Sequence, residues 1–137
     1  MLVGSPAVRR PIAQGLQFVA LYDINDALRI WGVMAAHMIV RATVPNPGDR
    51  KPFDRWYAEI HMPQAVAAFR PSRSWRSWST IDPAVHYAFY EYDGTARVEE
   101  VMGTVEFKTM VADFSKAWDG KVSRERDVVV TVQMLVE

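Results

Sequence analysis

The clearest periodic signal runs from residue 38 onward. Met38 to Val44 is rich in β-branched residues and is closed by Pro45-Asn46-Pro47-Gly48, which reads as a strand followed by a loop. Pro52 suits a first helical turn, and Phe53, Trp56, Tyr57 and Ile60 follow the i, i+3, i+4, i+7 spacing of an apolar helix face. Pro63 lacks a backbone donor and would clash with the Glu59 carbonyl in a continuous helix, so a break or kink is expected at His61 and Met62, with a second turn running to Phe69. After Pro71, Ser72 to Ser79 and Val85 to Tyr92 form two strands joined at Ile81-Asp82-Pro83, a hairpin. A short helix fills Arg97 to Met102. Phe107, Met110, Val111, Phe114 and Trp118 then repeat helical spacing, with Thr104 as N-cap, Glu106 in the first turn and Gly120 as the stop. Val128 to Val132 is the strongest strand signal.

The order is βαββαβ. This is the split-βαβ, ferredoxin-like α+β arrangement, a four-stranded antiparallel sheet with helices on one face. Val85, Tyr87 and Phe89 alternate with His86, Ala88 and Tyr90, so both faces of that strand are largely apolar while one monomer has helices for only one of them. A second copy packed on the open face resolves the conflict, and two-fold homodimers are the commonest assembly of this kind. The expected organisation is an N-terminal extension or arm over residues 1–36 and a ferredoxin-like domain over 37–137. Within the extension, 1–14 reads as an extended arm, Gln17 to Ile24 as a short strand and Asn25 to Trp31 as a brief helix.

Composition removes several functional classes. Sixteen basic residues balance sixteen acidic ones, so no net field draws in nucleic acid or an anionic membrane. The longest apolar run, Ile30 to Val40, is far short of the ~20 residues needed to span a bilayer. The chain has no cysteine, hence no disulfide framework, zinc ribbon or thiolate nucleophile, and a cytoplasmic setting is the default. There is no phosphate-binding loop, dinucleotide fingerprint or nucleophile elbow. His37, His61 and His86 fall on separate elements without a metal-ligand spacing, so no metal site is expected.

Phe53-Asp54-Arg55-Trp56-Tyr57-Ala58-Glu59-Ile60-His61-Met62-Pro63 resembles the F-x-x-W-Y-x-x-x-H-x-P signature that follows the first strand in EthD-like proteins, members of the dimeric α/β barrel superfamily. Tyr87 to Tyr92 resembles the third strand of that family, and Val105 to Trp118 with the valine-rich strand its last helix and strand. The resemblance covers about residues 38 to 135 and implies a homodimeric barrel with a pocket for a small organic molecule. The superfamily spans cofactor-free monooxygenases, small-ring isomerases, polyketide cyclases and haem enzymes, so the fold alone names no reaction. Haem-using relatives generally bring a histidine from the second helix. Arg97 to Trp118 contains none, so no cofactor is expected.

His61 matches the signature histidine and is the leading catalytic candidate, an imidazole able to exchange a proton near neutrality. The competing reading is a structural histidine at the Pro63 break. Tyr57, four residues earlier, would share its face and could orient it or donate to a substrate oxygen. Trp56, Trp75, Phe89 and Tyr90 are candidate walls of an apolar pocket, and Arg73 a candidate anion contact. Arg73 and Arg76 fall on opposite strand faces, so at most one points into that pocket. The function expected is binding of a small, mostly apolar molecule with cofactor-independent proton transfer or oxygenation. The alternative is a non-catalytic accessory or ligand-binding module of a degradation pathway.

Overall fold

The structure, a computed structural model, describes residues 35–135. The arm, strand and helix expected before residue 32 lie outside them. The described chain runs β1 (Ala36–Thr43), α1 (Pro47–Trp56), a π-helical turn (Tyr57–His61), α2 (Met62–Phe69), β2 (Arg73–Trp78), β3 (Val85–Tyr92), α3 (Thr95–Met102), α4 (Val105–Trp118) and β4 (Ser123–Val130). The four strands form one antiparallel sheet in the order β2-β3-β1-β4. This is the expected ferredoxin-like βαββαβ fold.

Alternation along the strands sorts the sheet into two faces. Met38 lies opposite Tyr90 and Ala42 opposite His86, and these buried side chains pack beneath the helices. His37, Ile39, Tyr87 and Phe89 point to the other side. The core between sheet and helices is aromatic: Phe53 of α1 meets Trp56, Tyr57, Trp78, His86, Phe114 and Trp118 at centroid distances of 5.2 to 6.1 Å. Tilted and edge-to-face contacts of this kind suit the aromatic quadrupole.

The larger departures from the sequence expectation each have a local reason. The first helix begins at Pro47 rather than near Pro52, because the Asn46 side chain accepts the Gly48 N–H at 3.0 Å and caps it, and proline at the first helical position lacks only a donor that has no helical partner anyway. Instead of a break before Pro63, the chain widens into the π turn, whose last donor, the Met62 N–H, reaches back five residues to the Tyr57 carbonyl. The last strand starts at Ser123, five residues before the valine run, because an edge strand carries charge readily and Arg124 to Asp127 pair with β1 throughout. The remaining signals act where they were placed: Thr104 Oγ accepts the Phe107 N–H at 3.1 Å to cap α4, and Gly120, with φ 73°, turns the chain after it.

Candidate functional site

The stripe Phe53, Tyr57, His61, Ala65 and Phe69 faces inward along α1, the π turn and α2. Ile60, expected on this face, is 48% exposed, and His61 is 5% exposed in its place. The wider turn makes the exchange: holding more residues than the about 3.6 of an α-helical turn, it carries His61, not Ile60, over the sheet.

His61 borders a cavity of about 460 Å³, open to solvent on one side and lined by β1, β3, β4, the π turn, α2, α3 and α4. Apolar walls come from side chains such as Met38, Val40, Phe69, Phe107, Met110 and Val111, and polar groups in comparable measure from His61, Tyr57, Tyr90, Arg124, Glu125 and Arg126. The His61 ring stacks on Trp56 at 4.8 Å and 17°, and meets Tyr57 and Phe114 edge-on at 4.8 and 5.4 Å. Among the described residues no protein group hydrogen-bonds to it. Burial, reinforced by the Arg124 charge, pulls its pKa down to about 4. The ring is therefore neutral at pH 7 and can accept a hydrogen bond from a guest in the cavity.

The Tyr57 and Tyr90 hydroxyls lie 3.4 Å apart, and burial raises both pKa values, so the pair stays protonated and keeps a donor. Behind Tyr57, away from the cavity, lies a second polar cluster. Asp54 accepts from Trp78 Nε1 at 2.8 Å and from Arg76 Nη1 at 3.0 Å, and Arg76 Nη1 also donates to His86 Nε2 at 3.1 Å. Those partners, Trp78 first, hold the Asp54 carboxyl below its usual range. Burial, then the Arg76 charge, lowers His86 to about 4. The Arg76 guanidinium lies 5.5 Å from the Tyr57 ring, so this cluster supports the cavity wall from behind.

The sequence-selected residues divide between the two sheet faces. His61, Tyr57 and Tyr90 meet at the cavity, and Trp56 backs His61 from the helix side. Arg73, Trp75 and Phe89 do not join them. Trp75 stacks on Phe89 at 5.2 Å on the open face, where Arg73 donates to Glu91 at 2.9 Å. Of the arginine pair on β2, Arg76 is the one directed to the helix side, and it is engaged by Asp54. Sequence reading missed Arg124 and Arg126, because a charged edge strand resembles an ordinary solvated one. Their i, i+2 spacing in a strand was the available signal that both share one face.

Comparison with solved structures places this geometry. An ethyl tert-butyl ether D (EthD) family protein from Bacillus halodurans superposes with a TM-score of 0.55 at 18% identity, over 69% of this chain and 97% of that one. The chain shares the fold of an EthD protein. SnoaB, a cofactor-independent oxygenase from Streptomyces nogalater, superposes with a TM-score of 0.55 at 12% identity, over 75% of this chain and 98% of that one. No family model matches the sequence. No curated protein matches it either.

Proposed function

We propose that the protein is an EthD-like member of the dimeric α/β barrel superfamily that binds a small, mostly apolar organic molecule in the cavity above the sheet. The observation that carries this reading is the meeting, in one cavity of about 460 Å³ with apolar and polar walls, of His61 with the Tyr57–Tyr90 hydroxyl pair. Ligand sites of about 300 to 1,000 Å³ with apolar walls and a few convergent polar groups are the usual pattern. SnoaB, whose fold the chain shares, is a cofactor-independent oxygenase, and that analogy of fold supports cofactor-independent chemistry here. In that chemistry His61 accepts a proton from an acidic C–H or O–H of the ligand, the electron pair stays on the ligand as an enolate or phenolate, and the tyrosine hydroxyls hold the developing oxyanion. In an oxygenation, dioxygen would be the co-substrate that this carbanion reduces. Among the described residues no helix is long and apolar enough to cross a membrane.

One observation favours the non-catalytic reading. A general base works best with a pKa near the operating pH, and His61 is held at about 4. A module that only sequesters a metabolite or accompanies a degradation enzyme needs no more than the neutral ring. A native mass spectrum of the purified protein, recorded before and after denaturation, tests binding: a small organic mass carried by the folded protein and lost on denaturation is expected. A ligand-free protein that takes up no planar aromatic probe would sink the binding reading. With the captured compound in hand, His61→Gln separates the two versions. Catalysis by His61 requires that turnover stop while binding persists; unchanged turnover would remove His61 from the chemistry, and a wild type that binds the compound without turning it over would leave the accessory role.

A further inference from the structure

Arg124 and Arg126 stand two residues apart on β4, on the helix side of the sheet, opposite Ala42 and Val40 of β1. Both border the cavity. The small Ala42 side chain leaves room for the Arg124 guanidinium to fold against α4, where it sits 3.9 Å from the Phe114 ring centroid. Its Nη2 donates to the Val111 carbonyl at 2.8 Å and to Ser115 Oγ at 3.1 Å. Those bonds fix the plane of the group while using only one of its three nitrogens. Arg126 lies over Phe107 at 5.0 Å.

Among the described residues neither arginine has an anion. The ion pairs among the described residues are His37–Glu91, Arg41–Glu125, Arg73–Glu91, Arg76–Asp54 and Arg97–Glu100. Glu125 borders the cavity but belongs to the opposite sheet face, where it pairs with Arg41 at 3.9 Å. Among the described residues, two cations without a carboxylate partner therefore border a cavity whose other polar groups, the Tyr57 and Tyr90 hydroxyls and the His61 ring, carry no negative charge to offset them. A guanidinium held partly out of water without a counter-ion is costly, and a planar delocalised oxyanion fits its fork.

We infer that the cavity selects an anionic guest, an aromatic or alicyclic ring carrying a carboxylate, with the ring against Met38, Val40 and Met110 and the carboxylate on Arg124. Arg126 adds a longer-range attraction at the rim. This rests on the binding reading above and narrows it from apolar molecules in general to ring acids.

The test uses the full-length protein and two probes of the same ring body, 2-naphthoate and 2-naphthalenemethanol, titrated by calorimetry and by tryptophan fluorescence. Naphthoate should bind about 30-fold more tightly than the alcohol, as expected for a charge-assisted pair. Arg124→Gln should remove about tenfold of that preference and leave the alcohol's affinity unchanged, and Arg124→Lys should restore it only in part because the planar fork is lost. Arg126→Gln, at an exposed position without a side-chain hydrogen bond among the described residues, leaves the fold intact and should lower naphthoate affinity by about threefold. Equal affinity of the wild type for the two probes would overturn the anion preference and leave apolar binding standing. Binding of neither probe would overturn the binding reading itself, and this inference with it. A preference that survives in Arg124→Gln would overturn the assignment to Arg124.

Discussion

At the scale of single residues, the structure concentrates its dependence on a few rings. Phe53 is fully buried among the aromatic rings that join α1, β2, β3 and α4, so Phe53→Ala opens a hole that rigid neighbours cannot fill. We expect a loss of about 3 to 5 kcal/mol, read as a lower urea midpoint with an unchanged slope; a loss below about 1 kcal/mol would contradict its central place. His61 and His86 set the pH response. Both are lowered from 6.5 to about 4, so between these values the unfolded chain binds protons that the native state refuses. Stability is therefore full above about pH 6.5 and declines as the pH falls toward 4, by about 3 kcal/mol for a fully expressed shift on one group. Urea unfolding at about pH 7 and about pH 5 should show the lower midpoint at pH 5, and His61→Gln should flatten part of the slope. Equal midpoints would mean that the imidazoles are not desolvated.

At the scale of elements, the π turn is what places the site, and it is also what a periodicity reading cannot represent. Phe53, Tyr57, His61, Ala65 and Phe69 recur every fourth residue, and at about 100° per residue such a stripe drifts by about 160° from end to end. One extra residue accommodated in the π turn removes about 100° of that drift. A template of 3.6 residues per turn instead selects Ile60, which the structure turns outward. Deleting Glu59, exposed within the turn, leaves the remaining inward residues spaced four, three, four and four apart, a good α-helical stripe. The variant should melt cooperatively near the wild-type temperature yet bind its aromatic ligand at least about tenfold more weakly, because His61 moves relative to the cavity. A folded variant with unchanged affinity would show that the turn does not position the site, and an unfolded one that the turn is needed for the fold itself. The order of elements was legible because strands and helices leave different apolar periods, and the Thr104 cap because its chemistry is local. The pairing of His61 with Tyr57 was legible too, since it lies within one helix. Bringing Tyr90, Arg124 and Arg126 to them depends on sheet register, which no local pattern states.

At the scale of the whole molecule, the sheet has one face under helices and one without. Trp75, stacked on Phe89, is 37% exposed, Val129 is 38% exposed, and Tyr87 stacks on Phe89 at 6.0 Å, so the open face carries a contiguous aromatic and aliphatic patch. Patches of this kind on a single chain mark association surfaces, and a two-fold arrangement lets the same patch cover its own copy. The homodimer proposed on this ground should sediment at twice the 15.6 kDa chain mass. Phe89→Glu places a carboxylate at the centre of the patch without touching the helix-side core, because Phe89 pairs with Ile39 and Trp75 on the opposite sheet face. In the dimer that charge would be buried against its own copy, a like-charge contact that costs several kcal/mol, whereas in the monomer it stays in water. The variant should therefore sediment as a monomer with a wild-type circular dichroism spectrum. A wild-type monomer would remove the reason for an apolar open face, and a Phe89→Glu dimer would move the interface elsewhere. Because the cavity lies on the other side of the sheet, a folded monomeric variant that still binds 2-naphthoate would show that dimerisation stabilises the sheet but does not build the site.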